Sequence, residues 1–216
     1  MKTFLITAVA ACALALAATA GAALEPGVFD PGNTGCVTST YTDGVLHLAK
    51  NCPTTTNAAA LADITGLGGQ TFQSASFTLA NATQCQGGSP RFNITTSNGL
   101  FFLGCNNVTP VVNADGTATY TFTAATLAAA GQQVPTPTGT ISSVRVLIDV
   151  MGTADLSRIT VNGVLQKPMS DRQMAMSKCK KGGWKTFTDP KFKNQGQCVS
   201  HFVHELNKAK AHHTHS

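Results

Sequence analysis

The sequence predicts a mainly β protein: an antiparallel β-sandwich, jelly-roll-like, followed by a small disulfide-stapled C-terminal segment with a short helix. Three observations predict it. Between residues 24 and 165, short runs alternate apolar and polar side chains with a period of two. Turn-forming residues interrupt these runs about every 8 to 15 positions, and no long amphipathic helix separates them. Beyond the N-terminal leader, the cysteines are even in number, as in exported proteins that are stapled by disulfides.

The chain opens as a secretory leader over residues 1–23. Lys2 supplies the positive start, an apolar run continues to Ala18, and Ala18, Ala20, Ala22 and Ala23 provide the small residues that signal peptidase accepts. Cleavage between Ala20 and Ala23 leaves a mature start near Leu24. Val9-Ala10-Ala11-Cys12 has the form of a lipoprotein site, but only Phe4 to Ala8 precede it as apolar run, which is too short. No later stretch has the length and apolarity of a membrane span, so the expected location is extracellular or periplasmic.

The body, residues 24–165, is rich in Thr, Ser, Ala, Gly and Asn. In TATYTFTA, Ala118, Tyr120, Phe122 and Ala124 face one way and the threonines the other. In ISSVRVLIDV the inward set is Val144, Val146, Ile148 and Val150. Further strands are expected in VLHLAK (45–50), TFQSASFTLA (71–80), RFNITT (91–96), GLFFLG (99–104) and LSRITVNG (156–163), the last ending in an Asn-Gly turn pair. One short helix is expected in AATLAAAGQ, closed by Gly131. Asn81, Asn93 and Asn107 head Asn-x-Thr triplets, which a Thr- and Asn-rich chain produces by chance.

Six cysteines, Cys36, Cys52, Cys85, Cys105, Cys179 and Cys198, allow 15 pairings, and the sequence does not choose among them. They fall into three local couples, Cys36 with Cys52, Cys85 with Cys105 and Cys179 with Cys198. No two lie within zinc-knuckle spacing, which leaves disulfides as the expected chemistry and no cofactor.

Charge divides the chain in two. Residues 24–165 hold four basic and seven acidic residues, whereas residues 166–216 hold ten basic and three acidic. A basic tail on a mildly acidic body implies an anionic partner. Pro168 and SDRQMAMSK mark a linker over 166–178, followed by a Cys-bracketed module over 179–202, CKKGGWKTFTDPKFKNQGQCVSHF. The Gly182-Gly183 and Asn194-Gln195-Gly196 stretches read as turns that bring its cysteines together. Trp184, Phe187 and Phe192 are expected to cluster, with Lys178, Lys180, Lys181, Lys185, Lys191 and Lys193 around them. Trp184 is either the plug of this cluster or a stacking face for a sugar or base. The expected binding residues are Trp184, Lys180, Lys181, Lys185, Lys191 and Lys193; lysines without arginine suit diffuse attraction to phosphate or uronate.

A short helix and His-rich tail are expected over 203–216. His201, His204 and Glu205 share one helical turn, but H-x-x-H-E is not a metalloprotease order, and no metal role is assigned.

Two stretches resemble known families. VRVLIDVMGTADLSRITVNG (144–163) resembles the end of β-sandwich domains of exported bacterial proteins, and that resemblance implies a fold shared with carbohydrate-binding modules. The 179–200 segment resembles a C-terminal module of exported bacterial proteins, C-K-x-G-G-W…F-K-N-Q-G-x-C-V-S, through Cys179, Lys180, Gly182, Gly183, Trp184, Phe187, Phe192 to Gly196, Cys198, Val199 and Ser200. This resemblance carries no activity with it.

A catalytic site is not expected. Asp149 and Asp155 flank a strand end where a carboxylate pair is conceivable, but no G-x-S-x-G elbow is present, and His47 reads as a strand residue with a satisfied ring. The expected function is therefore that of a secreted, non-catalytic protein that attaches to an anionic polysaccharide or cell-envelope polymer through its tail, nucleic acid being the less favoured polyanion. The alternatives are a structural, self-assembling surface protein and a hydrolase with an unrecognised site.

Overall fold

The computed structural model describes residues 23–130, 134–170, 178–180 and 182–213, with backbone alone for 206–213. The leader up to Ala22, Lys181 and His215 lie outside the described residues, and so do the side chains of His212 and His213.

The body is a sandwich of two sheets. One orders its strands β13-β1-β4-β10-β6-β7, where β1 is Ala23–Phe29, β4 Ala59–Thr65, β6 Arg91–Thr96, β7 Gly99–Gly104, β10 Ile141–Ile148 and β13 Lys167–Pro168. The other orders β2-β3-β11-β5-β9-β8, with β2 at Val37–Thr42, β3 at Val45–Lys50, β5 at Ala75–Leu79, β8 at Val111–Val112, β9 at Ala118–Phe122 and β11 at Gly152–Val161; β12 (Val164–Leu165) pairs with β11. Successive strands repeatedly switch sheets, so most pairings join residues distant in sequence. All ladders are antiparallel except β1 with β13.

The inward faces meet around a group of rings. Phe77 of the second sheet packs at 5.5 Å from Phe92 of the first, with Tyr120 and Phe122 at 5.5 and 5.7 Å on its other sides. Each aromatic ring carries a large apolar area, so this centre is the densest contribution to sheet cohesion. Val144, Val146 and Ile148 point inward as the alternation requires, but Val150 has left the strand and is only half-buried. Ala124 departs from the Ala118, Tyr120, Phe122 row because it opens α1 (Ala124–Ala129), capped by Thr123 and Thr126.

Two hairpins close with the tight turns their residues demand. Asp43-Gly44 joins β2 to β3 and Asn162-Gly163 joins β11 to β12, all four residues at positive φ. Asn162 also accepts hydrogen bonds from the amides of Gln73 and Ser74, tying that turn to the start of β5.

The three cysteine couples are bonded as neighbours: Cys36–Cys52, Cys85–Cys105 and Cys179–Cys198. The sheet takes in more chain than the composition marks. β1 starts at Ala23, and β13 adds Lys167 and Pro168 from the expected linker, with Gln166 buried beside them. The C-terminal helix α2 runs Gln195–His213 and thus begins inside the Cys-bracketed module. Asn194-Gln195-Gly196 is a helix start and not a free turn: the Asn194 side chain accepts from the amide of Gln197, and the Gln197 side chain accepts from the amide of Lys193.

Candidate binding surfaces

The C-terminal module is built around its disulfide. Cys179 and Cys198 are fully buried, Phe192 nearly so, and Trp184, Phe187, Val199 and Phe202 pack against them. Phe187 lies 5.4 Å from Phe192 and 5.3 Å from Phe202, so the first turns of α2 supply a wall of the cluster that the sequence reading left out. Gly182, at φ 83°, opens the short 3₁₀ turn Gly183–Thr186 that carries Trp184. A side chain at Gly183 would meet the Lys178 carbonyl at 2.2 Å, so the chain can close here only with glycine.

Trp184 is half-buried: one part of the indole packs on the cluster, and Lys185 Nζ lies 5.5 Å from the ring centroid. Lys178, Lys180, Lys185, Lys191 and Lys193 are all exposed, and among the described residues none of the five enters an ion pair. Of the expected binding residues, Lys181 alone lies outside the described set. His201 stacks 5.4 Å from both Phe192 and Phe202, a packing role; among the described residues no three His, Cys, Asp or Glu side chains gather as metal ligands.

On the body, the two aspartates weighed as a carboxylate pair lie on opposite faces of the sandwich. Asp149, at the end of β10, accepts from both Nη atoms of Arg91 at 2.6 Å and from Ser89 Oγ at 2.7 Å. Burial pushes its pKa up, but the hydrogen bonds from Arg91 and Ser89 and the Arg91 charge outweigh this and hold it below the ordinary carboxylate value. Asp155 instead contacts His47 Nδ1 at 2.7 Å on the outside of the second sheet and accepts from Gln84 at 3.1 Å. The side chains of Asn81, Asn93 and Asn107 all accept hydrogen bonds within the fold.

No protein-family model, curated protein or solved structure matches this chain. The reading of function therefore rests on the surfaces themselves.

The outer face of the first sheet is a surface that the sequence reading missed. Strand register sets Glu25, Asp63, Arg145, Asn93 and Phe102 in one row across β1, β4, β10, β6 and β7. The adjacent row contains Leu61, Leu147 and Arg91, and Leu61 and Leu147 are buried together with Ala59 in a small cluster of their own. Arg145 binds Asp63 through Nε at 3.0 Å and Nη2 at 2.9 Å, while the Arg91 guanidinium sits 5.5 Å from the Phe102 ring centre. Phe29 and Phe102 remain 45% and 49% exposed. A signal existed: GLFFLG places Leu100 and Phe102 on the same side of an edge strand, opposite the inward Leu103.

Proposed function

We propose that this is an exported, non-catalytic binding protein that attaches to an anionic cell-envelope or extracellular polysaccharide through its C-terminal module. The observation that carries the reading is the set of five exposed lysines, in no ion pair among the described residues, on a segment closed by a disulfide and an aromatic cluster. Three disulfides are consistent with an oxidising compartment, and no described helix is long and apolar enough to cross a membrane. A lysine ammonium is a point charge and no rigid fork, so the attraction is governed by charge density along the polymer. Trp184 adds a partly open aromatic edge beside Lys185, suited to the apolar face of a sugar ring next to its acid group.

The test is co-sedimentation of the full mature chain with insoluble envelope and acidic polysaccharide, at low and high salt. The comparison is a variant with Lys180, Lys185, Lys191 and Lys193 changed to Gln. Attachment that salt releases and the four substitutions abolish supports the reading. Equal retention of both proteins, or retention indifferent to salt, sinks it.

A further inference from the structure

The outer face of the first sheet differs in chemistry from the tail. Two recesses open on it, of about 640 Å³ and about 440 Å³, and Arg91 lines both. Volumes in this range accommodate small ligands or a few units of a chain. The larger recess runs along β7, with Phe102 and Leu100 as its apolar side and Asn98 and Asn106 as amide groups. The smaller lies over Leu61 and Leu147, with Phe29 at one end and Arg145 at the other.

Two features restrict what could lie there. The first is charge: Arg91 is matched by Asp149 and Arg145 by Asp63, and among the described residues no lysine lines either recess. A polyanion gains nothing from such a neutral strip. The second is the mixture of groups. Half-exposed phenyl rings, Phe29 on β1 and Phe102 on β7, flank guanidinium–carboxylate pairs and amides, so the face offers stacking surfaces together with donors and acceptors. A pyranose presents the matching pattern, with an apolar face of C–H groups and a rim of neighbouring hydroxyls.

We propose that the outer face of the first sheet, centred on Phe102 and Arg91, is a binding site for an uncharged oligosaccharide. The site is independent of the lysine module, so the protein holds two polymers of different charge, or two parts of one heterogeneous polymer. Phe102 provides the stacking platform. The Arg91 guanidinium packs against the Phe102 ring at 5.5 Å from its centre, and Asp149 fixes Arg91.

The experiment uses the full mature chain on an array of immobilised uncharged gluco-, manno-, galacto-, xylo- and N-acetylglucosamine oligosaccharides, with uronate and phosphate oligomers alongside, at low and high salt. Three variants accompany it: Phe102→Ala, Phe102→Tyr and the four-lysine variant. Phe102 is half-exposed, so its truncation leaves the core rings in place, and an unchanged melting temperature confirms that the variant folds. The expected result is salt-insensitive retention of at least one uncharged series. Phe102→Ala weakens it about tenfold or more, the loss of one stacked ring and its desolvated neighbours. Phe102→Tyr keeps the affinity, and the lysine variant leaves it unchanged while losing the acidic oligomers. The proposal is overturned if no uncharged series is retained or if Phe102→Ala binds as wild type. It is equally overturned if Phe102→Ala instead abolishes a concentration-dependent dimer seen by sedimentation, since the face would then be a contact between copies.

Discussion

Lys50 is the most demanding residue in the body, and replacing it by Met isolates one interaction. The side chain is 1% exposed, and its Nζ donates to the carbonyls of Thr54 at 3.2 Å, Thr56 at 2.7 Å and Asp149 at 2.7 Å. The ammonium thus ties the end of β3, in one sheet, to the 51–58 loop and to the end of β10 in the other. Among the described residues no carboxylate pairs with it: three carbonyl oxygens accept from the charge. Hydrogen bonds from a charged donor contribute about 1.5–3 kcal/mol each, and burying an ammonium costs several kcal/mol in return. Met keeps the apolar stem, so no cavity opens, but it leaves the carbonyls without a donor. Thr54 is exposed and Asp149 half-buried, so water restores part of their bonding. The balance is a destabilisation of about 3 kcal/mol, or a melting temperature lower by roughly 10 °C for a domain of this size. Urea unfolding followed by near-ultraviolet circular dichroism, which reports the buried Tyr120 and the body's phenylalanines, measures it. A Lys50→Met protein within about 0.5 kcal/mol of wild type would refute the argument, because the cage would then contribute no net stability.

Three further outcomes follow from the geometry. Gly104→Ala destabilises the body by about 2 kcal/mol, because the new Cβ meets the Gly88 carbonyl at 2.4 Å and backbone must shift; thermal unfolding checks it. Replacing Cys179 and Cys198 by Ser removes about 3 kcal/mol of loop restriction and opens the small aromatic cluster, so Trp184 emission shifts to the red while the body's melting is unchanged. Asp149, with its pKa held low in the folded protein, stabilises the fold above the unfolded carboxylate value near pH 4, and that stability is lost as pH falls through the lower folded value. The slope of stability against pH below about 4 is therefore shallower in Asp149→Asn, as acid titration of unfolding by circular dichroism reads.

Alternation made the strands RFNITT and VLHLAK legible to the residue, because each shows one apolar face, whereas GLFFLG, apolar on both faces, was marked by its bounding glycines. β4 was not legible for the opposite reason. AALADIT is buried on both sides, its Ala60 and Ala62 under the second sheet and its Ala59 and Leu61 beneath the side chains of the outer face, so it has no alternation to read. β1 was hidden by Pro26 and Gly27, which weaken a strand signal in isolation but are held here by a full ladder to β4. The start of α2 was written in Asn194 and Gln197, a capping pair that glycine at 196 masks as a turn. In the module, the cysteines, the cluster and the lysines could be read locally because the unit is local. The outer face of the first sheet could not: its row is assembled from five strands spread between Glu25 and Arg145, and only the register brings them together.

The register also explains why the two halves of the chain behave differently towards charge. The body has four basic residues, and the fold employs three of them: Lys50 is enclosed by carbonyls, Arg91 is held by Asp149 and Arg145 by Asp63. Arg158 alone remains exposed, at a positive φ in β11, while Glu25, Asp30, Asp43 and Asp115 leave the surface net negative. A body with that surface repels a polyanion at short range, so any attraction must come from lysines outside it. This yields a sharper expectation than net charge gives. Neutralising Arg91 or Arg145 lowers stability yet leaves elution from an anionic column unchanged, because each charge is already matched by a carboxylate. Neutralising any two exposed tail lysines lowers the eluting salt while stability stays the same. Were the arginine variants to elute early and the lysine variants normally, the anionic surface would be meeting the sandwich, and the division of labour proposed for this chain would have to be reversed.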